Sequence, residues 1–443
     1  MTCALAILGG GPAGLAAGCA AASLNVPFAV FEGSPHAGGN CRTISRDGFR
    51  FDTGAHRLHD RDAGVTAWVR SLLDGELTEV AAPSRIAFDG RFVNFPLSPI
   101  NAARALGARR SARALIEIAN QRLHPRTPAA SFEDFALRSY GRTLAEAFLL
   151  GYSSKLWGRP CRELAPEIAG ARLNGLGVRA VLAEMAGGGR RTRHLDGRFL
   201  YPRRGIGRLT DRLAQACGEA LRLRSRITRV LHDGRRIAAV VVNDGERVDV
   251  EGAVSTLPLG AFASMLDPAP PPAVLDAAEG LRFRHVVLVA IFLRRQSVTP
   301  CATVYFPDSA VPFTRVYEPR NRSEAMAPAG HTSLVAEIPC GEADAPWRMD
   351  DLAVAALARG ALEGIGWVDP AEIAGIDVHR LADAYPVLDV DARGRALAVE
   401  QFLGRFANLR LAGRPGRFAY SHLHDQLRQG RESVAAILGG ANP

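Results

Sequence analysis

The hydrophobic pattern at the start of the chain predicts a strand, a tight turn, a helix and a second strand. Residues 4–8 and 27–31 are short apolar runs bounded by turn residues, which is the pattern of buried strands. The alanine-rich residues 12–23 between them begin with proline and predict a helix. Residues 9–11, at the strand-to-helix turn, are three consecutive glycines. Glu32 directly follows the second run, which completes the layout of a dinucleotide-binding βαβ unit.

The glycine-rich turn has a chemical purpose in such a unit. Glycines let the backbone approach a pyrophosphate, which then lies at the positive N-terminus of the following helix. Glu32 can accept hydrogen bonds from a ribose hydroxyl, and an ordinary tight turn leaves that acid unexplained. The residues predicted to bind the dinucleotide here are Gly9, Gly11, Pro12, Ala13, Gly14 and Glu32.

A second glycine pair indicates which dinucleotide is bound. Gly38 and Gly39 precede Asn40 and, after one more residue, Arg42. This arrangement is similar to that of large FAD enzymes of the amine oxidase and glutathione reductase superfamily, so FAD is expected rather than NAD. The glycines would allow another close backbone approach, with the cation of Arg42 near the diphosphate. The alternative is a plain loop.

The pattern along the rest of the chain predicts the α/β class with a discontinuous cofactor domain. Apolar residues recur at helical spacing around 62–75 and 98–190. Strand patterns return later, with a hairpin of residues 237–242 and 247–250 and a further strand at 253–258. We expect a Rossmann-type FAD-binding domain, a helical insertion and a mixed or antiparallel β-sheet substrate domain. The FAD-binding parts are predicted at 1–61, 196–264 and 396–443, the helical insertion at 62–195 and the substrate domain at 265–395.

Composition narrows the function classes. The chain has 443 residues, 47% of them hydrophobic and 22% charged, as expected of a globular protein with ample core. Its net charge of +9 comes mostly from dispersed arginines rather than from a basic block mixed with aromatic residues. We therefore expect an anionic cofactor and an anionic small-molecule substrate, and no nucleic acid. The glycines and prolines within residues 4–31 argue against a membrane span.

The cysteines and histidines predict neither disulfides nor a metal site. The seven cysteines are an odd number and include no Cys-x-x-Cys pair. His56 and His59 lack a third ligand at suitable spacing. Because residues 1–10 already contain the first strand, no signal peptide is predicted, and cytoplasmic localisation is expected.

Motifs further along the chain resemble those of the UDP-galactopyranose mutase family, within the larger amine oxidase and protoporphyrinogen oxidase group. Residues 54–59 are similar to its Gly-x-His-x-x-His pattern, and residues 151–158 to a helix that ends in Tyr-Thr-Lys-Lys-Gln-Trp-Gly. Each motif alone is weak, but their shared order and similar spacing indicate family membership. The remaining matches are residues 38–40, 92–97, 132–142, 201–202, 313–318, 385–386 and 413–420.

This resemblance implies a chemistry in which the cofactor is the nucleophile. In these mutases, reduced flavin attacks the anomeric carbon of the sugar through N5 and displaces the nucleotide diphosphate, and the sugar ring recloses at a different size. The protein has to stabilise the leaving diphosphate and hold the sugar near N5. The resemblance assigns catalysis to His56, Arg315, Tyr385 and Tyr420, substrate binding to Trp157, Arg172, Arg315 and Tyr385, and further cofactor contacts to Gly54, His56, Arg414, Gly416 and Asp425.

Within that resemblance, individual side chains have distinct roles. Arg315 would clamp the diphosphate, because a guanidinium matches two phosphate oxygens at once. Tyr385 and Tyr420 would reach phosphate oxygens, and His56 would lie beside N5. For Asp425, contact with the flavin ribityl chain and capping of the last helix are equal alternatives.

The chain departs from the family pattern at a second arginine, and also at residues 319–320, where Pro-Arg stands in place of His-Lys. The mutases carry two arginines after the tryptophan helix, whereas here Arg172 is followed by Leu176 at the second position. Losing one cation of a diphosphate clamp costs roughly 2–4 kcal/mol in a partly buried site. Arg179, Arg203 and Arg320 are candidate replacements. A different nucleotide sugar and a lipid-linked or secondary-metabolite substrate are the alternatives to UDP-galactose.

A second function class uses the same fold, namely an FAD-dependent oxidoreductase that removes hydride from an amine or a cyclic substrate. Arg315, Tyr385 and Trp157 favour the mutase interpretation, and Leu176 favours the oxidoreductase. A flavin-binding protein without catalysis is a third interpretation. The helical insertion is suited to a homodimer, and residues 180–196 are interpreted either as a mobile lid or as a surface loop.

Overall fold

The computed structural model describes residues 2–60, 62–95, 97–121, 128–169 and 198–439. Arg172, Leu176, Arg179 and the segment 180–196 therefore lie outside the described residues. The described chain builds two large sheets with helices packed around them, and the predicted α/β class is confirmed.

The first sheet has the predicted Rossmann-type core. Its strand Thr2–Leu8 lies parallel to Phe28–Phe31 on one side and to Glu246–Ser255 on the other. The helix Pro12–Ser23 connects the first two strands, so the predicted strand–turn–helix–strand unit is confirmed. In spatial order, the strands found in the described residues are Leu266–Asp267, Ile227–His232, Ile237–Val242, Glu246–Ser255, Thr2–Leu8, Phe28–Phe31 and Leu221–Arg222, with Leu409–Leu411 beside the end of Glu246–Ser255.

Small residues bring the helices around this sheet close together. Pro12–Ser23 packs against the last helix, Leu423–Leu438, where a Cβ atom at Gly430 would come within 2.1 Å of the Ala13 carbonyl oxygen. This contact joins two segments far apart in the chain beside the glycine-rich turn. The other helices of this part are Ala63–Leu73, Gly207–Cys217, Leu259–Ser264, Pro272–Glu279, Ala392–Leu403 and Gly413–Gly416.

The predicted hairpin around residues 243–245 is present. Its second strand, predicted at 247–250, and the further strand predicted at 253–258 form one strand in the structure. Glu246–Ser255 runs without a break because it changes partner along its length. Its first half pairs antiparallel with Ile237–Val242, and its end pairs parallel with Leu409–Leu411. The local pattern separates the two halves because it does not show this exchange of partner.

The second sheet is mixed and mostly antiparallel, as predicted for the substrate domain. Its strand Phe283–Leu293 is almost wholly buried, because it is apolar on both faces. Ser84–Phe88 and Arg91–Phe95 come from the range expected to be a helical insertion, so that range is not helical throughout. The domain boundaries themselves stay predictions. In spatial order, the strands seen in the described chain are Ile373–Pro386, Phe283–Leu293, Thr332–Cys340, Arg315–Tyr317, Thr303–Tyr305, Ser84–Phe88 and Arg91–Phe95.

Two kinked helices form most of the remaining described insertion. Pro99–Gln121 bends at Gly107, where φ is +74°, and Phe132–Ala145 bends at Gly141, where φ is +75°. No helix in the described ranges has both the length and the apolar character needed to cross a membrane. The shorter elements are the π-helix Glu146–Leu150, the α-helices Gly151–Trp157, Ala345–Arg348 and Asp351–Gly364, the 3₁₀-helices Cys161–Glu163, Pro166–Ala169, Gly218–Ala220, Pro319–Asn321, Glu324–Met326 and Pro370–Glu372, and the strand pairs Thr43–Arg46 with Phe49–Asp52 and Leu77–Val80 with Phe199–Pro202.

Candidate active site

A long groove, called the cofactor groove below, runs past the glycine-rich turn. At Gly11 a Cβ atom would meet no atom within 4 Å, so the backbone borders open space. At Gly14, in contrast, a Cβ atom would lie 1.9 Å from the carbonyl oxygen of Gly9. Because Gly11 has no side chain, the helix that starts at Pro12 has no side-chain cap. Its first amides are therefore left for an anion, which fits the diphosphate of FAD.

Glu32 borders the same groove at the end of the second strand. Its carboxylate oxygens accept hydrogen bonds from the amides of Gly10 and Ser34, each at 2.8 Å. These bonds fix the carboxylate at the edge of the groove, in the position expected for a ribose partner. The amide of Gly38 donates to the Gly10 carbonyl at 2.7 Å, so the two glycine-containing segments hold each other in place.

The opposite wall of the groove is a bulge in the strand Ile373–Pro386. Its regular pairing stops at residues 382–384, which line the groove. Asn40 donates from Nδ2 to the first carbonyl of this bulge at 3.0 Å, and Arg414 donates from Nη1 to the last at 3.2 Å. The bulge therefore connects the second sheet to two glycine-containing segments of the groove, one beside Asn40 and one beside Arg414.

Arg42 and Gly416, which the sequence assigns to FAD, make other contacts. Arg42 lies beside the second sheet, where its Nη2 is 3.4 Å from Nε2 of His379, and it does not line the groove. Gly416 packs against the main chain, because a Cβ atom there would be 2.9 Å from the Ser255 carbonyl oxygen. Its size allows the close approach of two backbone segments rather than of the cofactor.

For Asp425 the capping alternative is the one observed. Its carboxylate accepts a hydrogen bond from the amide of His422 at 3.0 Å and caps the helix Leu423–Leu438. Its neighbour Gln426 lines the cofactor groove instead, and so does Thr256. The sequence pattern finds the helix start but does not show which side chain of the first turn faces the groove.

The cofactor groove opens into a second space, called the reaction cavity below, and His56 borders both. The His56 ring donates from Nε2 to the carbonyl of Asn40 at 2.8 Å, so the proton is on Nε2. Burial, followed by the positive charge of Arg414, lowers the pKa of His56 to about 4. The ring is therefore neutral near pH 7, and its Nδ1 has no hydrogen-bond partner among the described residues.

Arg315 extends into the reaction cavity and is held by two partners. Its Nε bonds to Oε2 of Glu337, and its Nη2 donates to the hydroxyl of Tyr385 at 2.7 Å. Burial would lower the pKa of Arg315, but the Glu337 carboxylate and neighbouring tyrosines raise it well above its usual value. Nη1 has no such partner in the part of the chain that the structure describes. The guanidinium is thus charged, fixed and able to bind an anion.

Tyr385 and Tyr420 form an aromatic wall of this cavity. Their ring centroids are 6.2 Å apart with planes inclined by 26°, and Arg414 lies over both rings at 5.4 and 5.2 Å from the centroids. The sequence predicts substrate contact for Trp157, but this side chain is only 5% exposed and does not line the cavity. It packs edge-on behind both tyrosines and so supports the wall.

The reaction cavity carries more positive than negative charge. The arginines that line it are Arg57, Arg315 and Arg414. Among its described lining residues Glu337 is the one acid, and its charge is paired with Arg315. Arg203 and Arg320, considered above as replacements for the missing cation, do not line the cavity. Arg57 does line it, and it was missed because the motif around it drew attention only to the histidines.

Glu337 is the main site residue that the sequence reasoning missed. Its Oε1 accepts a hydrogen bond from the Ala55 amide at 2.9 Å, so one carboxylate holds both Arg315 and the loop that carries His56. A signal was present, because Glu337 stands alone in the apolar strand Thr332–Cys340. A buried acid in such a strand needs a partner, and partners of this kind concentrate at functional sites.

Comparisons with known proteins identify the family of this chain and solved structures with a similar fold. Residues 12–438 match the family of flavin-containing amine oxidoreductases. Reduced UDP-galactopyranose mutase superposes with a TM-score of 0.84 at 19% identity, over 100% of this chain and 97% of the other. A proposed protoporphyrinogen oxidase from Exiguobacterium sp. 255-15 gives 0.77 at 20% identity, and putrescine oxidase bound to putrescine gives 0.68 at 16%, each over 99% of both chains. At these identities the structural likeness concerns the fold.

Proposed function

The chain belongs to the family of flavin-containing amine oxidoreductases and is an FAD-dependent enzyme, and we propose that it acts on an anionic, nucleotide-linked or glycosidic sugar. The observation that carries this proposal is Arg315. Its guanidinium is fixed by Glu337 and Tyr385, and it keeps Nη1 for a ligand in a cavity that adjoins the cofactor groove. Fixed guanidinium groups suit diphosphates because they need no reorganisation when the anion binds.

FAD would lie along the cofactor groove, with its diphosphate on the amides that start the helix Pro12–Ser23 and a ribose on Glu32. In its reduced form FAD supplies a nucleophilic N5 for attack on the anomeric carbon of a sugar. The residues of the cavity do the remaining work. Arg315 would stabilise the departing diphosphate, and Tyr385 would orient Arg315 and donate to a phosphate oxygen.

His56 and Arg57 would contribute in different ways. His56 borders the groove and the cavity and is neutral near pH 7, so it adds no positive charge beside the cofactor. Its Nδ1 can accept a hydrogen bond from a sugar hydroxyl. Arg57 donates from Nη2 to Ser84 and Thr303 and lines the cavity, so it would itself supply the second cation of the clamp.

A UDP titration of the purified flavoprotein tests the proposal, with the flavin spectrum followed in the oxidised and the dithionite-reduced protein. We expect saturable micromolar binding that is tighter after reduction and is lost in Arg315→Ala. Arg109→Ala is the matched control, because Arg109 is exposed and lies on a helix outside both spaces. No spectral response at millimolar UDP would reject a UDP-linked substrate.

The second candidate is the oxidoreductase, and Leu176 at the position of the second family arginine favours it. A cationic amine is a poor substrate for this cavity, because three arginines line it and its acid is already paired. The oxidoreductase would therefore act on a neutral or anionic cyclic compound. It would consume oxygen or reduce another acceptor during turnover, whereas the mutase-like enzyme needs prior reduction and shows no net redox change.

A further inference from the structure

A third space, called the interhelical cavity below, lies between the kinked helices Pro99–Gln121 and Phe132–Ala145. No charged side chain lines it within the described residues. Ser98 and Ser111 line it, but the hydroxyl of Ser98 accepts from a neighbouring amide and that of Ser111 donates to a carbonyl, both at 3.2 Å. Most of its lining is hydrocarbon, including Leu97, Leu106, Leu115, Ile118, Leu144 and Phe148.

The backbone keeps this cavity open. Both helices bend beside it, and Phe132–Ala145 is continued by the π-helical turn Glu146–Leu150, a type of irregularity frequent at functional sites. At Gly141 a Cβ atom would lie 2.8 Å from the Cβ of Glu117. The Glu117 carboxylate accepts from the amide of Thr143 at 2.7 Å and from its hydroxyl at 3.0 Å. These bonds fix the spacing of the two helices, so the cavity does not close by a simple shift of one helix.

The interhelical cavity reaches the protein surface on one side. Pro99–Gln121 buries only Leu106 and Ala114 among its side chains. Leu115 lines the cavity and is still 62% exposed, as is its neighbour Ile116. Leu115 therefore lies at the mouth, beside the exposed apolar side chain of Ile116.

On its other side the interhelical cavity adjoins the reaction cavity. Phe95 and Tyr305 line the reaction cavity, with ring centroids 5.2 Å apart. The same two rings pack in one apolar cluster with Leu106 and Phe148, which line the interhelical cavity. One apolar cluster therefore contributes side chains to both spaces.

We propose that the interhelical cavity is a subsite for the hydrocarbon chain of an amphiphilic substrate whose anionic head lies in the reaction cavity. The inference rests on the proposed function for the position of the head. Its chain-binding part rests on the apolar lining, on the hydrogen bonds that fix the two helices and on the apolar cluster that reaches both spaces. Burial of a chain in such a space should raise affinity about fourfold per methylene, so chain length should affect affinity strongly.

Two probes and two matched variants test this inference. Cis-parinaric acid, whose fluorescence rises in apolar surroundings, reports the chain subsite, and n-dodecyl phosphate in competition with UDP reports the link to the reaction cavity. Ala103 and Ala112 are both exposed alanines on the same helix, but only Ala103 lines the cavity. Ala103→Phe fills the mouth, and Ala112→Phe is the control.

We expect saturable binding of one parinaric acid per chain, at least about tenfold weaker in Ala103→Phe and nearly unchanged in Ala112→Phe. Dodecyl phosphate should displace UDP from the wild type at lower concentration than from Ala103→Phe. UDP itself should bind all three proteins with the same affinity. Both variants should retain FAD and melt near the wild-type temperature. If UDP does not bind but parinaric acid discriminates between the variants, the UDP-linked substrate is rejected and the chain subsite is still supported.

Three results would overturn the inference. The first is equal binding of parinaric acid by the two variants. The second is a signal that requires vesicles containing phosphatidylglycerol, which would make this face a membrane contact. The third is probe binding that falls as the protein self-associates, which would assign the face to a second copy of the chain.

Discussion

The cofactor groove and the reaction cavity adjoin, but the groove is lined largely by main chain and the cavity by side chains. Main chain borders much of the groove, at the glycine-rich turn, at the bulge of residues 382–384 and at Gly413. Charged and aromatic side chains that hold one another border the cavity. Backbone amides can bind a diphosphate wherever small residues leave space for it. Selection among substrates instead requires side chains that several distant elements hold in place.

The largest effect is expected from a side chain placed in the groove. In Gly11→Val the valine has no neighbour to displace, because a Cβ atom there meets nothing within 4 Å, and φ is −76°. It should instead occupy cofactor space and weaken FAD binding by at least about a hundredfold, with the stability of the apoprotein unchanged. Isothermal titration of the apoprotein with FAD and urea unfolding measure the two quantities.

The control is the same change at Gly360, which also faces open space but lies on the distant helix Asp351–Gly364. Gly360→Val should bind FAD like the wild type. A Gly11→Val protein that still binds FAD with native affinity would show that the main chain at this turn does not border the cofactor.

The reaction cavity should respond as a unit. Arg315→Ala leaves Glu337, only 4% exposed, without its partner, and we expect a loss of about 3–5 kcal/mol in the free energy of unfolding. Adding Glu337→Gln should recover a large part of this loss but none of the UDP affinity. Urea unfolding and UDP titration of both variants separate the two effects.

An exposed ion pair provides the comparison for that experiment. Arg138 and Asp134 are 43% and 28% exposed, so Arg138→Ala should cost no more than about 1 kcal/mol. If Arg315→Ala is no more costly than Arg138→Ala, the buried pair does not hold the cavity together.

A pH dependence is expected from His56, which borders both spaces. The unfolded chain takes up a proton at the ordinary histidine pKa of 6.5, whereas burial delays protonation in the folded protein to about pH 4. Stability from this residue is therefore complete above pH 6.5 and is lost as the pH falls toward 4. The loss is at most about 3 kcal/mol, because the ring is half-buried. His56→Gln should remove this part of the slope in unfolding measured from pH 7 to 4, and an unchanged slope would contradict it.

The smallest effect separates two neighbours on the last helix. Asp425→Ala removes the cap of Leu423–Leu438 and should lower stability by about 1 kcal/mol with unchanged FAD affinity. Gln426→Ala should do the reverse, because Gln426 lines the groove. Thermal melting and FAD titration of the pair decide the assignment, and weaker FAD binding in Asp425→Ala would restore the ribityl alternative.

The same contrast explains what the sequence could and could not predict. The βαβ unit and its acid depend on neighbours within about thirty residues, so pattern and spacing were enough. Glu337 and Arg315 belong to adjacent strands of the second sheet, and their pairing follows from strand register, which no local pattern shows. The position of Trp157 behind the tyrosines, rather than in front of them, likewise depends on packing between distant segments.

The residues that line the cofactor groove are far apart in the sequence, which has a consequence for biosynthesis. The segment from Gly413 to Gln426 supplies part of the lining, and Gly9 to Ala13 supply another part of the same space. The ribosome makes the glycine-rich turn long before the segment that completes the lining. FAD binding can therefore be completed only after the chain has been synthesised as far as Gln426.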